Sequence, residues 1–416
     1  METDLKLAPA PDQAAPPRPT LVRPRSRGLI PALPTLWPSM LAERERSGVL
    51  PPPLGDPATR YWYFARNAVW HGARALGLSG GEVLMPAYFH GVEVDALLDA
   101  GVHLRWVKVD RAMQLDLADL ERQRTKATRA VYAIHYAGFP QDVFALRRFC
   151  DKHGLLLIED CALALLSRLG GQPLGTFGDA AIWCFYKALP VPNGGALTMK
   201  APGASGIRRP HEAPLTTAAA HAASSLLANA ELRLGAPARL ARTLLRRVTS
   251  LARRRGLPHV ATGTQRFSRA AVDLAISPLS LHLARSLDHG AIVARRRRNY
   301  LHLTERLGSA APPVTGPLDD GVCPLFYPVA VVGKRHVQET LAARGIETVD
   351  FWRTPHPEGP TGRRYAVAEE LRRTVLEVPC HQDLGIADMD RIADELLKAL
   401  GRPGSAARGS AEVPHS

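Results

Sequence analysis

The sequence has no run apolar enough to cross a membrane. Its longest uncharged stretch, Ala213 to Ala230, sets Thr, Ser, His and Asn among alanines, short of the roughly 20 apolar residues a helical span needs. Cysteine is scarce as well: the five, at 150, 161, 184, 323 and 380, have no metal-ligand spacing. No metal site is expected, and an odd count argues against a disulfide framework. Three of them fall in or beside expected core segments, where a free thiol acts as a small hydrophobe. Met1–Gln13 is polar and acidic, with Pro-rich sequence after it, unlike a secretory leader. The expectation is a cytoplasmic protein. There is no internal repeat, and no zinc-finger or helix-turn-helix pattern supports sequence-specific nucleic-acid reading.

Acidic residues are missing from one region above all. The formal charge is +14, and Ala201–Gly256 holds ten arginines against two glutamates. Such a segment can meet anionic lipid, nucleic acid or phosphorylated substrates, or it can be a solvated helical face. Peripheral membrane contact through residues 205–256 is one expectation.

What is present is a chain of 416 residues with 46% hydrophobic content, enough for two domains and a large core. Residues 1–55 are rich in proline and arginine without a sustained period and read as a partly disordered arm. Across 56–200, short apolar runs alternate with helical stretches. Strands are expected at 82–85, 104–109, 130–134, 155–158 and 180–185, and helices at 66–76, 92–99 and 141–152. This alternation implies an α/β domain with a mostly parallel sheet covered on both faces. Residues 201–265 read as an Arg/Ala-rich helical connection. Residues 266–400 read as a smaller α+β domain, with helices at 291–307, 337–344 and 387–400 and a strand at 325–332. Residues 401–416 read as a disordered tail.

Two neighbouring apolar runs carry the chemistry. Leu155–Ile158 runs into Glu159-Asp160, and Ala180–Tyr186 runs into Lys187, followed by Pro190-Val191-Pro192-Asn193-Gly194-Gly195. Ligands of parallel α/β sheets collect at the carboxyl ends of strands. A lysine and an aspartate there can hold pyridoxal 5'-phosphate (PLP): the amine forms a Schiff base and the carboxylate keeps the pyridine nitrogen protonated. A surface lysine and a strand-end or helix-capping aspartate are the alternatives.

The ordered set Gly81–Tyr88, His135–Pro140, Ile158–Ala162, Gly178-Asp179 through Lys187 to Gly195, Arg297–Tyr300 and Val378–His381 resembles the DegT/DnrJ/StrS sugar aminotransferases. The resemblance covers about residues 58–400. It implies the aspartate aminotransferase fold (type I), a three-layer large domain plus a smaller α+β C-terminal domain. It also implies a homodimer and PLP chemistry through a Lys187 internal aldimine. The amino group would pass from an amino acid, with glutamate the expected donor, to a keto sugar, expected to be nucleotide-linked.

Residue by residue, the resemblance places Asp160 at the pyridinium nitrogen and His90 against the cofactor ring, though His90 can equally be a loop or core histidine. Arg66 and Asn67, at the start of a helix, fall where the phosphate binds, with Arg66 open to a solvent-facing alternative. Cys184 stands where relatives place a phosphate-binding serine, and Leu163 where they carry Gln or His. Both changes remove polar contacts to PLP. His381 is either near the substrate or a structural strand-end histidine. Relatives that dehydrate replace the lysine with histidine, so Lys187 favours transamination. A PLP enzyme acting on a non-sugar substrate, and a catalytically decayed member that binds a membrane or another partner, are the competing readings.

Overall fold

The computed structural model describes residues 28–46, 48–200, 210–234, 236–254, 267–353 and 355–402. The expected disorder of the first 27 residues and of the tail past residue 402 lies outside them.

The large domain is built on seven strands: β1 (Thr59–Trp62), β2 (Glu82–Pro86), β3 (His103–Val107), β4 (Thr128–Ile134), β5 (Leu156–Cys161), β8 (Ala180–Cys184) and β9 (Gly195–Met199). The short ribbon β6 (Arg168–Leu169) with β7 (Gln172–Pro173) lies outside that sheet. Their order is β1-β9-β8-β5-β4-β2-β3. The run from β3 to β8 is parallel, and β9 pairs antiparallel with both β8 and β1. Strands β4, β5, β8 and β9 are buried almost end to end, as a sheet covered on both faces requires.

Helices α1 (Ala65–Ala75), α2 (Val92–Asp99), α3 (Leu117–Gln123) and α4 (Val143–His153) connect the strands. The α4 stop is local chemistry. Asp142 caps its start by accepting from the Ala145 N–H at 3.0 Å, and Gly154 closes it in the left-handed region at φ 64°, where a side chain is strained.

Register aligns the chemistry. Asp160 sits opposite Ile134 of β4 and Ile182 of β8. Because alternate residues of a strand face opposite ways, Glu159 serves the other side. Its carboxylate accepts from His135 at 3.0 Å and from the N–H groups of Gly175, Phe177 and Gly178 at 2.9, 2.8 and 2.6 Å. Burial pushes Glu159 up, but His135 and those amides outweigh it and hold its pKa below the ordinary glutamate value. His135, Glu159 and Cys161 lie close enough together to hold a metal; the carboxylate is instead occupied in pinning the loop before β8.

After the one-turn helix α5 (Phe185–Ala188), two long helices, α6 (Leu215–Leu234) and α7 (Ala236–Arg254), form a hairpin. Helix α8 (Pro278–Ser286) starts at Ser277, whose hydroxyl accepts from the Ser280 N–H at 3.2 Å. The small domain contains α9 (His289–Leu307), β10 (Phe326–Ala330), α10 (Lys334–Ala343), α11 (Ala366–Thr374), β11 (Val375–Pro379) and α12 (Ile386–Ala399), with β10 and β11 antiparallel. Its core, including Leu303, Val329, Leu341 and Ile392, is separate from that of the large sheet. Among the described residues no helix is long and apolar enough to cross a membrane.

One part of the arm expected to be disordered is built in. Pro31–Leu36 forms a strap: the Thr35 N–H donates to Asp383 at 2.6 Å, the Leu36 N–H to the Ser225 hydroxyl of α6 at 2.8 Å, and Asn229 of α6 to the Thr35 hydroxyl at 3.0 Å. Leu36 is fully buried. These partners are some 190 to 350 residues away, beyond the reach of local pattern.

Candidate active site

A cavity of about 620 Å³ opens at the carboxyl ends of β4, β5 and β8. Asp160, Leu163 and Ile182 line it from the sheet, Arg66 and His90 from one side, and Lys187 from another. The strap Pro31–Thr35 and residues of α6 such as His221 and Ser225 also face it, as do Phe351 and Trp352 from the segment before α11.

Lys187 is in α5, not at a strand end as expected. β8 stops at Cys184, and the chain turns once, with the Leu189 N–H donating to the Phe185 carbonyl at 2.8 Å. The Phe185 N–H donates to Gly194 at 2.9 Å, so the Gly194-Gly195 turn fixes where the lysine emerges. The Lys187 ammonium lies 4.9 Å from the centre of the Phe351 ring. Two small-domain side chains hold the adjoining carbonyl: Arg296 donates to Ala188 at 2.9 Å and Gln382 at 3.1 Å.

Asp160 is buried, with one oxygen accepting from the Tyr132 hydroxyl at 2.8 Å and the other from the Ala162 N–H at 2.9 Å. Burial, then the Glu93 carboxylate, pushes its pKa above the ordinary aspartate value against the pull of Ala162, Lys187 and Tyr132. Glu93, in the first turn of α2, is also buried and raised by that burial; it accepts from the His90 N–H at 2.6 Å. Sequence reading missed Glu93, which carries no motif of its own. His90 stands edge-on to Phe351 at 6.1 Å between ring centres. Burial first, then the cations Lys187 and Arg66, push its pKa down to about 3, so the imidazole is neutral.

The start of α1 completes the set. Its N-cap, Phe64, supplies no side-chain hydrogen bond, while its carbonyl accepts from the Asn67 N–H at 3.1 Å. Gly195 of β9 is pressed against this end: a Cβ there would overlap the Phe64 carbonyl and the Ala65 nitrogen. The buried Arg66 guanidinium lies 3.7 Å over the Phe64 ring, and both residues line the cavity.

Three expected residues are placed elsewhere. The Asn67 side chain donates to the Ala271 carbonyl at 2.8 Å and is not part of the cavity wall. Its amide satisfies a partly buried carbonyl, which leaves Arg66 as the side chain of this pair on the cavity wall. Cys184 is fully buried at the end of β8, also off the cavity wall, and burial raises its thiol. His381 is buried beyond β11 and bonded to the Pro31 carbonyl at 2.9 Å. It reaches the cavity only through the strap it anchors. Leu163 does line the cavity and presents no polar atom to it.

The donor set fits PLP. A buried carboxylate suits a pyridinium nitrogen, a helix start with an arginine suits a phosphate, and an amine lies on the same cavity for an aldehyde.

Residues 66–208 match the family model of the DegT/DnrJ/EryC1/StrS aminotransferase family. A GDP-perosamine synthase of Vibrio cholerae is 36% identical over 114 residues, 27% of this chain and 31% of that protein. A dTDP-4-dehydro-2,3,6-trideoxy-D-glucose 4-aminotransferase of Saccharopolyspora spinosa is 39% identical over 119 residues, 28% of this chain and 31% of that protein. The chain thus matches about a third of the length of these curated relatives. Solved structures extend the likeness of fold over nearly the whole chain. The aminotransferase TlmJ from Streptoalloteichus hindustanus superimposes with a TM-score of 0.62 at 22% identity, covering 90% of this chain and 99% of that one. Helicobacter pylori PseC, an aminotransferase involved in pseudoaminic acid biosynthesis, gives 0.63 at 16% identity, covering 90% and 100%.

Proposed function

We propose that this chain, a member of the DegT/DnrJ/EryC1/StrS aminotransferase family through residues 66–208, transfers an amino group from an amino acid, with glutamate the expected donor, to a keto sugar by means of PLP. The observation that carries this reading is the convergence of Lys187, Asp160, His90 and Arg66 on one cavity. The printed names of the relatives, a GDP-linked and a dTDP-linked sugar enzyme, support a nucleotide-linked acceptor. A homodimer working in the cytoplasm belongs to the same proposal.

PLP, when bound, supplies an electron sink that stabilises the carbanion left at the amino-bearing carbon. Asp160 would hold the pyridinium nitrogen; Tyr132 and Ala162 keep its carboxylate turned the right way and leave it acceptor capacity. His90, neutral, would lie against the ring, and Arg66 with the first turn of α1 would hold the phosphate. The Lys187 amine would move a proton between the substrate carbon and the cofactor, off the donor's carbon in one half-reaction and onto the acceptor's in the other, the usual work of a general base in this chemistry. The strap and α6 limit water at that carbon, where hydration competes with proton return.

Leu163 gives substance to the reading of a decayed, non-catalytic member, because it meets the cavity without a hydrogen bond for the cofactor. Titration of the purified protein with PLP, followed by visible absorption, separates the two. The proposal expects one cofactor per chain, a band lost in Lys187→Ala, and a spectral change on adding glutamate. Failure of the wild-type chain to take up PLP defeats it, and uptake without any response to amino donors points to the decayed member.

A further inference from the structure

Helix α7 meets the cavity through Arg242, and its other face has no part in the machinery described so far. Its 19 residues include six arginines and no acid, and along an axis of about 28 Å it carries a second feature. Leu240, Leu244, Val248 and Leu251 are each half or more exposed. At 100° per residue these four fall within one stripe, and Arg247, itself exposed, takes a position on its border. The opposite side is committed: Ala238 is buried, Leu245 is half-buried, and Arg242 pairs with Glu231 of α6 at 2.9 Å. Helix α6 is in turn fastened to the strap through Ser225 and Asn229. The apolar stripe therefore faces away from the protein on a helix that is itself anchored.

We infer that α7 is a docking surface for anionic lipid, lying in the plane of the membrane interface. An exposed Leu/Val stripe beside arginines is the pattern by which a helix buries its apolar face at the acyl boundary while cationic heads stay among phosphates. Charge selects this occupant over the others. A second copy related by a two-fold axis would bring the same acid-free, arginine-rich helix against itself, with like charges opposed. Nucleic acid would use the arginines but leave the four aliphatic side chains in water. Six arginines also keep the helix from crossing the bilayer. This inference stands apart from the proposed reaction, since none of the stripe residues lines the cavity.

The test is co-sedimentation of the full chain with phosphatidylcholine vesicles, with or without about 30% phosphatidylglycerol, at about 0.05 M and 0.5 M salt. Expected are partition roughly tenfold or more stronger into the anionic vesicles, weakening in high salt, and a loss of about tenfold in the double variant Leu244→Asp, Val248→Asp. Leu240→Ser with Leu251→Ser, a milder change on the same stripe, should lose binding in the same direction. Far-UV circular dichroism and PLP uptake should match wild type in both, which separates this result from any failure of the proposed chemistry. The inference is overturned if wild type does not prefer anionic vesicles or if the aspartate variant binds them as well. It is also overturned if the variant converts a dimer to a monomer while wild type ignores vesicles, or if wild type binds duplex DNA and not lipid.

Discussion

Acid should loosen the strap at His381, and the size of the effect can be worked from its surroundings. The ring is 1% exposed. Its Nε2 must donate to the Pro31 carbonyl at 2.9 Å, and its Nδ1 is left to accept the Asp383 N–H at 3.4 Å. Both nitrogens are committed in the neutral form, and burial pushes the pKa down to about 4 despite the pull of Asp383. An unfolded histidine titrates near 6.5. Since the folded pKa is the lower, the stability contribution is whole above about pH 6.5 and is lost as pH falls toward about 4. The loss runs at about 1.4 kcal/mol per pH unit and reaches roughly 3 kcal/mol in all. His90, held down to about 3, adds the same sign. The buried acids Asp160, Glu93 and Glu377 are raised and carry the opposite sign, so a bare pH profile would mix the terms. Subtraction isolates His381. Urea unfolding of wild type and His381→Gln, followed by circular dichroism between about pH 7.5 and 4.5, should show wild type ahead at neutral pH, with a lead that shrinks by 2–3 kcal/mol on acidification. A lead independent of pH would refute the assignment of a neutral, doubly bonded ring.

Two further substitutions test how the frame holds the cavity. Arg296, 1% exposed, donates to Leu325, Pro324 and Ala188 at 2.9, 3.3 and 2.9 Å, so Arg296→Met strands the Leu325 and Pro324 carbonyls, leaves Ala188 to Gln382 alone, and should cost about 3–5 kcal/mol in urea unfolding. Because Ala188 adjoins Lys187, PLP affinity should fall with it, and unchanged affinity would mean that α5 holds its shape unaided. Gly195→Ala forces a Cβ into the Phe64–Ala65 peptide and should cost about 1–3 kcal/mol as α1 shifts. Its PLP titration should weaken more than that of a neutral surface variant, and an equal titration would place the phosphate away from α1.

The sheet was legible because burial leaves a simple record. Leu156–Ile158 and Ala180–Cys184 are continuous apolar strands, and Asp160 and Lys187, two and three residues past them, line the cavity, as the strand-end rule expects. What escaped depended on distant partners or on shape. Thr59–Trp62 and Gly195–Met199 were not read as strands: Arg60, Gly195 and Ala196 blur their pattern until β1, β8 and β9 pair. Lys187 was expected at the tip of a strand, but the Phe185 N–H finds Gly194 and the backbone coils for a turn. Asn67 was expected near a phosphate from the family resemblance; its side-chain amide meets Ala271, some two hundred residues later. The arm looked disordered through its proline content, yet Pro31–Thr35 acquires order from α6 and from Asp383. Ser277-Pro278 was a readable helix start, a capping hydroxyl followed by proline, and went unread because the weak period after it masked α8.

The electrostatics of the cavity restrict its ligand further than the list of residues does. At the sheet end, Asp160 and Glu93 are both pushed up by burial, and Asp160 further by the Glu93 carboxylate, so this end gains if a cation arrives beside Asp160. At the α1 end, Arg66 and an N-terminus with no side-chain cap call for an anion. On the same cavity His90 is driven neutral by burial and by Lys187 and Arg66, which leaves a flat, uncharged imidazole on its wall. A purely anionic ligand would meet the carboxylates at the sheet, and a purely cationic one would meet Arg66. A molecule with a positive ring at one end and a phosphate at the other, as proposed for PLP, would relieve both ends at once. Adding an independent phosphate to the titration therefore sharpens the test: inorganic phosphate should compete weakly for the α1 end and leave the Asp160 end unsatisfied. A non-phosphorylated pyridoxal should bind at least about tenfold more weakly than PLP, the loss expected when a charged hydrogen-bond acceptor is removed. Equal binding of the two would break the link between Arg66, α1 and the anion.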